Sequence, residues 1–489
     1  MATIDELKKA RLEKLAEIKK SLLNPYPEKT KRTHQISEAI EVFDELVKSE
    51  KEVVLAGRIR SQRGHGGSIF LDIEDGTGKM QAFLRKDRLG EKEYEFFLKV
   101  FDIGDFVELK GILFATKQGE KTIEVASFKM LAKSLLPLPE KWHGLKDAEE
   151  RFRKRYLDLI FNKEIKDKFV LRSKIIRELR TFMEKEGFLE VETPILQPIY
   201  GGTEAKPFKT HLNSMDMDLY LRIAPELYLK RLIVGGFEKI FEIGKCFRNE
   251  GMDRSHNPDF TEMEFYWAYA DYKEMMKLIE RMMATIVKNL FGTTKIEYED
   301  KGVDFKAPWE RIEYTALIRK FAKVDIDEMN REALFSEAKK LGVAVDNNMT
   351  KFQLADVIYK KTCLPNLWQP TFIIHHPEGS IPLAKQTEDN PEKLGTIQVV
   401  VAGLEIIKAY SELNDPLKQY ENFKKQEKLF VEGVEEAQRM DQDYIEALEY
   451  GMPPTAGFGM GIDRLVTLLT NSHSLREVIL FPTMRAKEN

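Results

Sequence analysis

Two cysteines, Cys246 and Cys363, are all that 489 residues provide. Neither a disulfide framework nor a zinc cluster is therefore available, and a reducing compartment is implied. No apolar run approaches the roughly 18–20 residues needed to cross a bilayer, so no membrane partner is expected. The N-terminus is charged from Asp5 onward and lacks the apolar segment of a signal peptide, which points to a cytoplasmic protein. No internal repeat is visible. The net charge of −4 removes the simplest mark of a nucleic-acid binder, although a local basic surface can face a phosphate backbone even in an acidic chain.

What is present is enough apolar material, 43% of residues, to build two or three ordinary domain cores. Ile4, Leu7, Leu12, Leu15, Ile18 and Leu22 recur at helical spacing, with Thr3 and Glu6 placed as a capping box. The helix should stop before Asn24-Pro25-Tyr26-Pro27. Residues 1–34 carry nine Lys/Arg against five Asp/Glu, so this basic helical extension over 1–50 is either a solvated face or an arm that tracks a polyanion.

From residue 51 to 134 the period changes to two. Strands are expected at 53–60, 68–73, 80–84, 106–114 and 122–128, with one helix near 87–101. Five strands with a helix between the third and fourth suggest an OB-type β-barrel. Such a face either packs or binds single-stranded nucleic acid; Phe70 offers a stacking platform, with Arg63, Gln81 and Glu120 as polar groups for base edges. A linker is expected over 135–150, and the remainder, 151–489, is expected to form one mixed α+β domain. In it, 272–292 reads as an amphipathic helix and 309–362 as a helical insertion without legible chemistry. Strands return at 371–375 and 396–412.

The chemistry gathers in three separated segments. Residues 241–266 read as two strands around a polar loop, placing Phe247-Arg-Asn-Glu250 before the loop and Glu262, Glu264 and Tyr266 on one strand face. Glu405 and Glu412 lie on a late strand, and Gly459-Met-Gly-Ile-Asp-Arg464 ends a strand and opens a helix. Arginines for phosphates, carboxylates for a cation and glycines that let backbone approach a ligand make a pocket the economical reading, since buried charges otherwise need partners.

These segments resemble motifs of the class II aminoacyl-tRNA synthetases, and among them the bacterial-type lysyl enzymes. Motif 1 corresponds to Phe188-Leu-Glu-Val-Glu-Thr-Pro194. Motif 2 corresponds to Phe247–Glu250 with His256-Asn-Pro-Asp-Phe260, and motif 3 to Gly459–Arg464. The runs Leu221–Arg231, Ser411–Asp415 and Ala447–Gly451 match as well. The resemblance implies an antiparallel catalytic sheet flanked by helices, a homodimer through motif 1, and tRNA(Lys), ATP and L-lysine as partners. It implies that Arg248 and Arg464 are catalytic, with Glu250, His256, Asn257, Phe260 and Glu405 completing the ATP site. Gly202 and Glu226 would take the α-amino group of lysine, and Glu412 and Tyr266, with Glu264 behind, the ε-ammonium. Phe70 and its polar neighbours would read the anticodon.

Two positions depart from the family pattern. Of the two acidic Mg2+ ligands usual there, Glu405 matches one, and the other falls on Gln398. Lys408 stands where an asparagine is common near the substrate carboxylate. Either Lys408 replaces part of the metal's charge, or it points away and Gln398 coordinates through its carbonyl oxygen. The alternative to a synthetase is a catalytically altered paralogue that binds tRNA or lysylates protein.

Overall fold

The period-two stretch after residue 52 closes into a barrel in the computed structural model, which describes residues 3–139, 147–434 and 436–486. Contacts divide the chain into Met1–Lys146 and Asp147–Asn489. The division falls within the expected linker, whose residues 140–146 lie outside the described residues. The barrel strands are Val53–His65, Ser68–Glu74, Lys79–Arg85, Phe106–Ala115 and Lys121–Ala132. Their spatial order is first, second, third, fifth, fourth, with the third and fifth parallel. In the second strand Ile69, Leu71 and Ile73 are buried while Ser68, Phe70 and Asp72 alternate outward, as a half-buried strand requires. The single helix expected at 87–101 is two, Lys86–Leu89 and Glu91–Val100, divided at Gly90.

The N-terminal helix, Ile4–Lys20, begins in the expected Thr3–Glu6 capping box. Its charge is partly committed inside this unit. Arg11 is buried and donates to the carbonyls of Ile103, Ser134 and Leu136 at 2.9–3.2 Å, and Lys14 pairs with Asp102 at 2.6 Å. Those two cations dock the helix and are not free for phosphates; Lys8, Lys9, Lys19 and Lys20 remain exposed.

The second unit is built on an eight-stranded sheet. Across it run Glu310–Glu313, Thr371–Ile374, Thr396–Val401, Leu404–Ser411, Thr455–Gly461, Asp259–Ala268, Lys239–Phe247 and Leu189–Glu190. Only the two outermost pairings are parallel. The helix Tyr272–Phe291 buries Met275, Ile279, Met282 and Ile286 in the main core. The expected helical insertion needs a correction at its start: Glu310–Glu313 is an edge strand of the main sheet, too short to be told from a helix by periodicity. Helices Tyr314–Ala322, Arg331–Lys340 and Lys351–Thr362 follow, packed on a core of their own. Among the described residues no helix is long and apolar enough to cross a membrane.

Two features of this sheet prepare a site. Gly457 lies between Tyr266 and Tyr410 in register, and Gly459 between Glu264 and Lys408, so one face of this strand is bare at its glycines and runs as a trench between two strands that carry long side chains. On the late strand, Val399 opposes Ile407 but Val400 opposes Glu405. Ile406 is thus an extra residue, a bulge that shifts the side-chain phase. Without it Glu405 and Glu412, an odd number of residues apart, would face opposite sides of the sheet.

Candidate active site

A cavity of about 390 Å3 occupies this trench. From the hairpin it is lined by Arg248, Glu250, His256, Asn257, Phe260, Glu264 and Tyr266, and from the late strand by Glu405, Lys408 and Glu412. Gly202, Glu226 and Arg464 complete the sequence-derived set on its wall. Gln398 is the exception. It lies behind Lys408 and lines a neighbouring cavity of about 520 Å3.

At one end, Arg248 sits with its guanidinium carbon 4.8 Å from the centre of the Phe260 ring and a nitrogen 4.0 Å from Glu262; its Nε is buried without a partner. The loop is held by backbone bonds from Arg248 N to Pro258 O and from Asn249 N to Lys206 O. The Asn257 side-chain amide donates to Asp259 O at 2.7 Å, so this residue shapes the loop rather than offering a free donor. His256 places Nδ1 against Asp253 at 2.9 Å and Nε2 3.4 Å from Arg464. Arg464 also donates to Glu405 O at 3.0 Å, which joins the helix after the glycine strand to the late strand. The adjacent Asp463 accepts from Thr261 N at 2.9 Å and pairs with Arg172 at 2.6 Å.

Glu405 tests the expected metal site. Burial opposes its charge, yet Lys408, Arg464 and Lys360 hold its carboxyl at about 2. Lys408 Nζ lies 3.3 Å from one carboxylate oxygen, and the Gln398 amide nitrogen donates to the other. A carboxylate only accepts, so the amide must turn its NH2 inward and its Oε1 away; that oxygen is buried and unpartnered. Among the described residues no group of three or more His, Cys, Asp or Glu is placed to hold a metal ion. Both oxygens of Glu405 thus have protein partners, Lys408 and Gln398, and the Gln398 carbonyl oxygen points away from this carboxylate.

At the other end, Tyr266 OH donates to Glu264 at 3.1 Å and Tyr410 OH to Glu226 Oε1 at 2.7 Å. Burial, reinforced by Glu262 and Glu226, pushes the Glu264 carboxyl well up. Glu226 and Glu412 share a cation that sequence reasoning did not single out. Lys230 is fully buried, with Nζ 2.6 Å from Glu226 Oε1 and in contact with Glu412 Oε2. Gly202, at φ +92°, has no room for a side chain: a Cβ would stand 2.9 Å from Glu226 Cβ. Also unanticipated on the wall are Glu204, which accepts from Gln426 at 3.4 Å, and Asp356 and Lys360 from the insertion. No motif marked these three.

On the barrel, the expected nucleic-acid residues share one face. Arg63 pairs with Phe70 in register, and Phe70 with Phe83. Phe70 stacks on Phe83 with centroids 4.5 Å apart, and Phe114 lies 6.2 Å beyond. Phe83 and Phe114 extend the platform. Gln81 accepts from Thr122 at 3.1 Å, and Glu120 stands exposed at the turn two residues earlier.

Residues 147–485 match the family model described as tRNA synthetases class II (D, K and N), and residues 53–131 match that of the OB-fold nucleic acid binding domain. Curated relatives agree along the whole length. A protein named Lysine--tRNA ligase from Carboxydothermus hydrogenoformans is 47% identical over 486 residues, 99% of each chain. One of the same name from Pelotomaculum thermopropionicum is 48% identical over 488 residues, 99% of this chain and 96% of its own. A third, from Moorella thermoacetica, is 47% identical over 485 residues, 99% of each.

Proposed function

This chain belongs to the class II tRNA synthetases, among the lysine–tRNA ligases, and on that footing we propose that it joins L-lysine to ATP as lysyl-adenylate and passes the lysyl group to the 3′-terminal adenosine of tRNA(Lys). The observation that carries this reading is the charge pattern of one cavity: Glu226 and Glu412 at one end and Arg248 at the other, a match for a substrate with two ammonium groups and one carboxylate. A site for aspartate would need a cation where Glu412 stands.

In the first step a carboxylate oxygen of lysine attacks the α-phosphorus and pyrophosphate leaves. In the second, a ribose hydroxyl of the terminal adenosine attacks the acyl carbon and AMP leaves. No covalent enzyme intermediate is required, so the protein's contribution is placement and charge neutralisation. Arg248 bridges the substrate carboxylate and the α-phosphate. Phe260 stacks on the adenine, Glu250 accepts from its amino group, and Arg464 and His256 meet the outer phosphates. Mg2+ enters with ATP as part of that substrate, while the Lys408 ammonium neutralises Glu405.

The aromatic face of the barrel takes the anticodon, with Phe70 stacking on a base and Arg63, Gln81 and Glu120 contacting base edges. A protein-lysylating paralogue would have no use for such a barrel. Leu189, Ile195 and Leu196, each 44–53% exposed around motif 1, supply the apolar surface on which a second copy would pack. The compartment that fits is the cytoplasm. Lysine-dependent ATP–pyrophosphate exchange followed by charging of purified tRNA(Lys) tests the whole reading; exchange driven better by another amino acid would overturn it.

A further inference from the structure

Among the described residues Lys230 is the one buried cation paired with both Glu226 and Glu412, and it does not line the cavity. It lies on the helix Glu226–Val234, one turn beyond Glu226, among Leu227, Leu229 and Ile233. Its ammonium meets Glu226 through Oε1 and Glu412 through Oε2, and lies 5.7 Å and 6.0 Å from the ring centres of Tyr410 and Tyr444. Burial works against its charge, but the two carboxylates keep it protonated.

Each carboxylate is thereby left with one oxygen, and both of those oxygens face glycines. A Cβ on Gly202 would stand 3.6 Å from Glu226 Oε2, and a Cβ on Gly457 would stand 1.9 Å from Glu412 Oε1. Glu412 Oε1 is buried and has no hydrogen-bond partner. The two free acceptors thus face two positions of the wall where side chains are missing, and a single rigid ammonium that does not line the cavity holds the other oxygen of each carboxylate.

We propose that Lys230 is a positioning residue that sets the span between the α-amino and ε-ammonium subsites, and so makes the enzyme measure the length of its amino-acid substrate. The inference rests on the lysine reading of this cavity. Two buried carboxylates without Lys230 would repel, and one would rotate or take a proton. A protonated carboxyl no longer demands an ammonium, and a rotated one no longer holds it at the distance of four methylenes. Lys230 itself cannot compete with substrate, because it reaches the carboxylates from the opposite side.

The test is Lys230→Met, which keeps an unbranched apolar stem as far as Cε and removes the ammonium, read by ATP–pyrophosphate exchange with lysine and with ornithine, one methylene shorter. The expected result is a lysine KM raised about 100-fold, an ATP KM within threefold of the parent, and a lysine-over-ornithine preference lowered at least tenfold. Lys230→Gln, which keeps donors toward both carboxylates, should fall between the two. A lysine KM and a lysine-over-ornithine ratio both within threefold of the parent would overturn the proposal. Loss of folding in both variants, seen as loss of a cooperative melting transition, would assign Lys230 to stability alone and overturn it equally. Absence of lysine-dependent exchange in the unaltered protein would instead defeat the reading on which the proposal stands.

Discussion

Gly457→Ala should abolish tight lysine binding while sparing ATP. The added Cβ would fall 1.9 Å from Glu412 Oε1 and 2.7 Å from Tyr266 Cε1, where ordinary contact begins at 3.4 Å. Glu412 must then retreat by about 1.5 Å, and it cannot do so freely because its other oxygen is tied to Lys230. The ε-ammonium would be buried with no carboxylate at pairing distance. Breaking a buried ion pair from one side costs roughly 3–5 kcal/mol, which is about 100- to several-thousand-fold in lysine KM at tenfold per 1.4 kcal/mol. Gly459→Ala is the control: its Cβ would find nothing nearer than Glu262 Oε1 at 3.7 Å. Both proteins would be assayed by pyrophosphate exchange against lysine and ATP separately, with melting temperatures to verify folding. A lysine KM for Gly457→Ala within threefold of the parent would refute the steric reasoning and, with it, the placement of the ε-ammonium at Glu412.

Lys408→Asn removes a cation 3.3 Å from Glu405, and because that side chain is 60% exposed the interaction is worth only about 1 kcal/mol. The Mg2+ concentration for half-maximal exchange should rise about fivefold; an unchanged Mg2+ titration would show that Lys408 does not share the metal's electrostatic task. Phe70→Ala should weaken tRNA binding by roughly 1–3 kcal/mol and leave lysine activation untouched, so an equal loss in pyrophosphate exchange would place its role elsewhere. His376 stacks on Tyr314 and hydrogen-bonds to Thr396, and burial, followed by Lys408, depresses it to about 3. The unfolded chain takes up this proton below about 6.5 and the folded chain does not, so stability should fall between pH 6.5 and 3, by an amount on the order of a few kcal/mol. Denaturation of His376→Gln at pH 7 and pH 4 should show a smaller fall than in the parent; identical falls would remove His376 as the cause.

Much of the site was legible because strand periodicity is a rigid rule. Glu262, Glu264 and Tyr266 share a face wherever that strand is placed, and the glycine run at 457–461 could only be a surface of close approach. Lys230 was hidden for the opposite reason. A Glu and a Lys one helical turn apart read as an ordinary stabilising pair on a helix surface, and only the apolar Leu227, Leu229 and Ile233 around them hinted at burial. The odd spacing of Glu405 and Glu412 did carry a signal, since two groups serving one cavity from one strand must be an even number apart unless a bulge intervenes. Asp356 and Lys360 were illegible because the cavity reaches them through tertiary packing of the insertion. Gln398 was readable as a departure but not as a donor, because its direction follows from the acceptor it meets.

The extra residue at Ile406 also tells a protein engineer where this strand can be cut. Before it, side-chain phase is governed by Glu405; after it, by the row Lys408, Tyr410 and Glu412. The two stretches behave as separate cassettes meeting at one joint, and a chimera that carries the bulge with either cassette keeps both in phase. A graft that omits it would turn one whole cassette to the back of the sheet while leaving every residue identity intact.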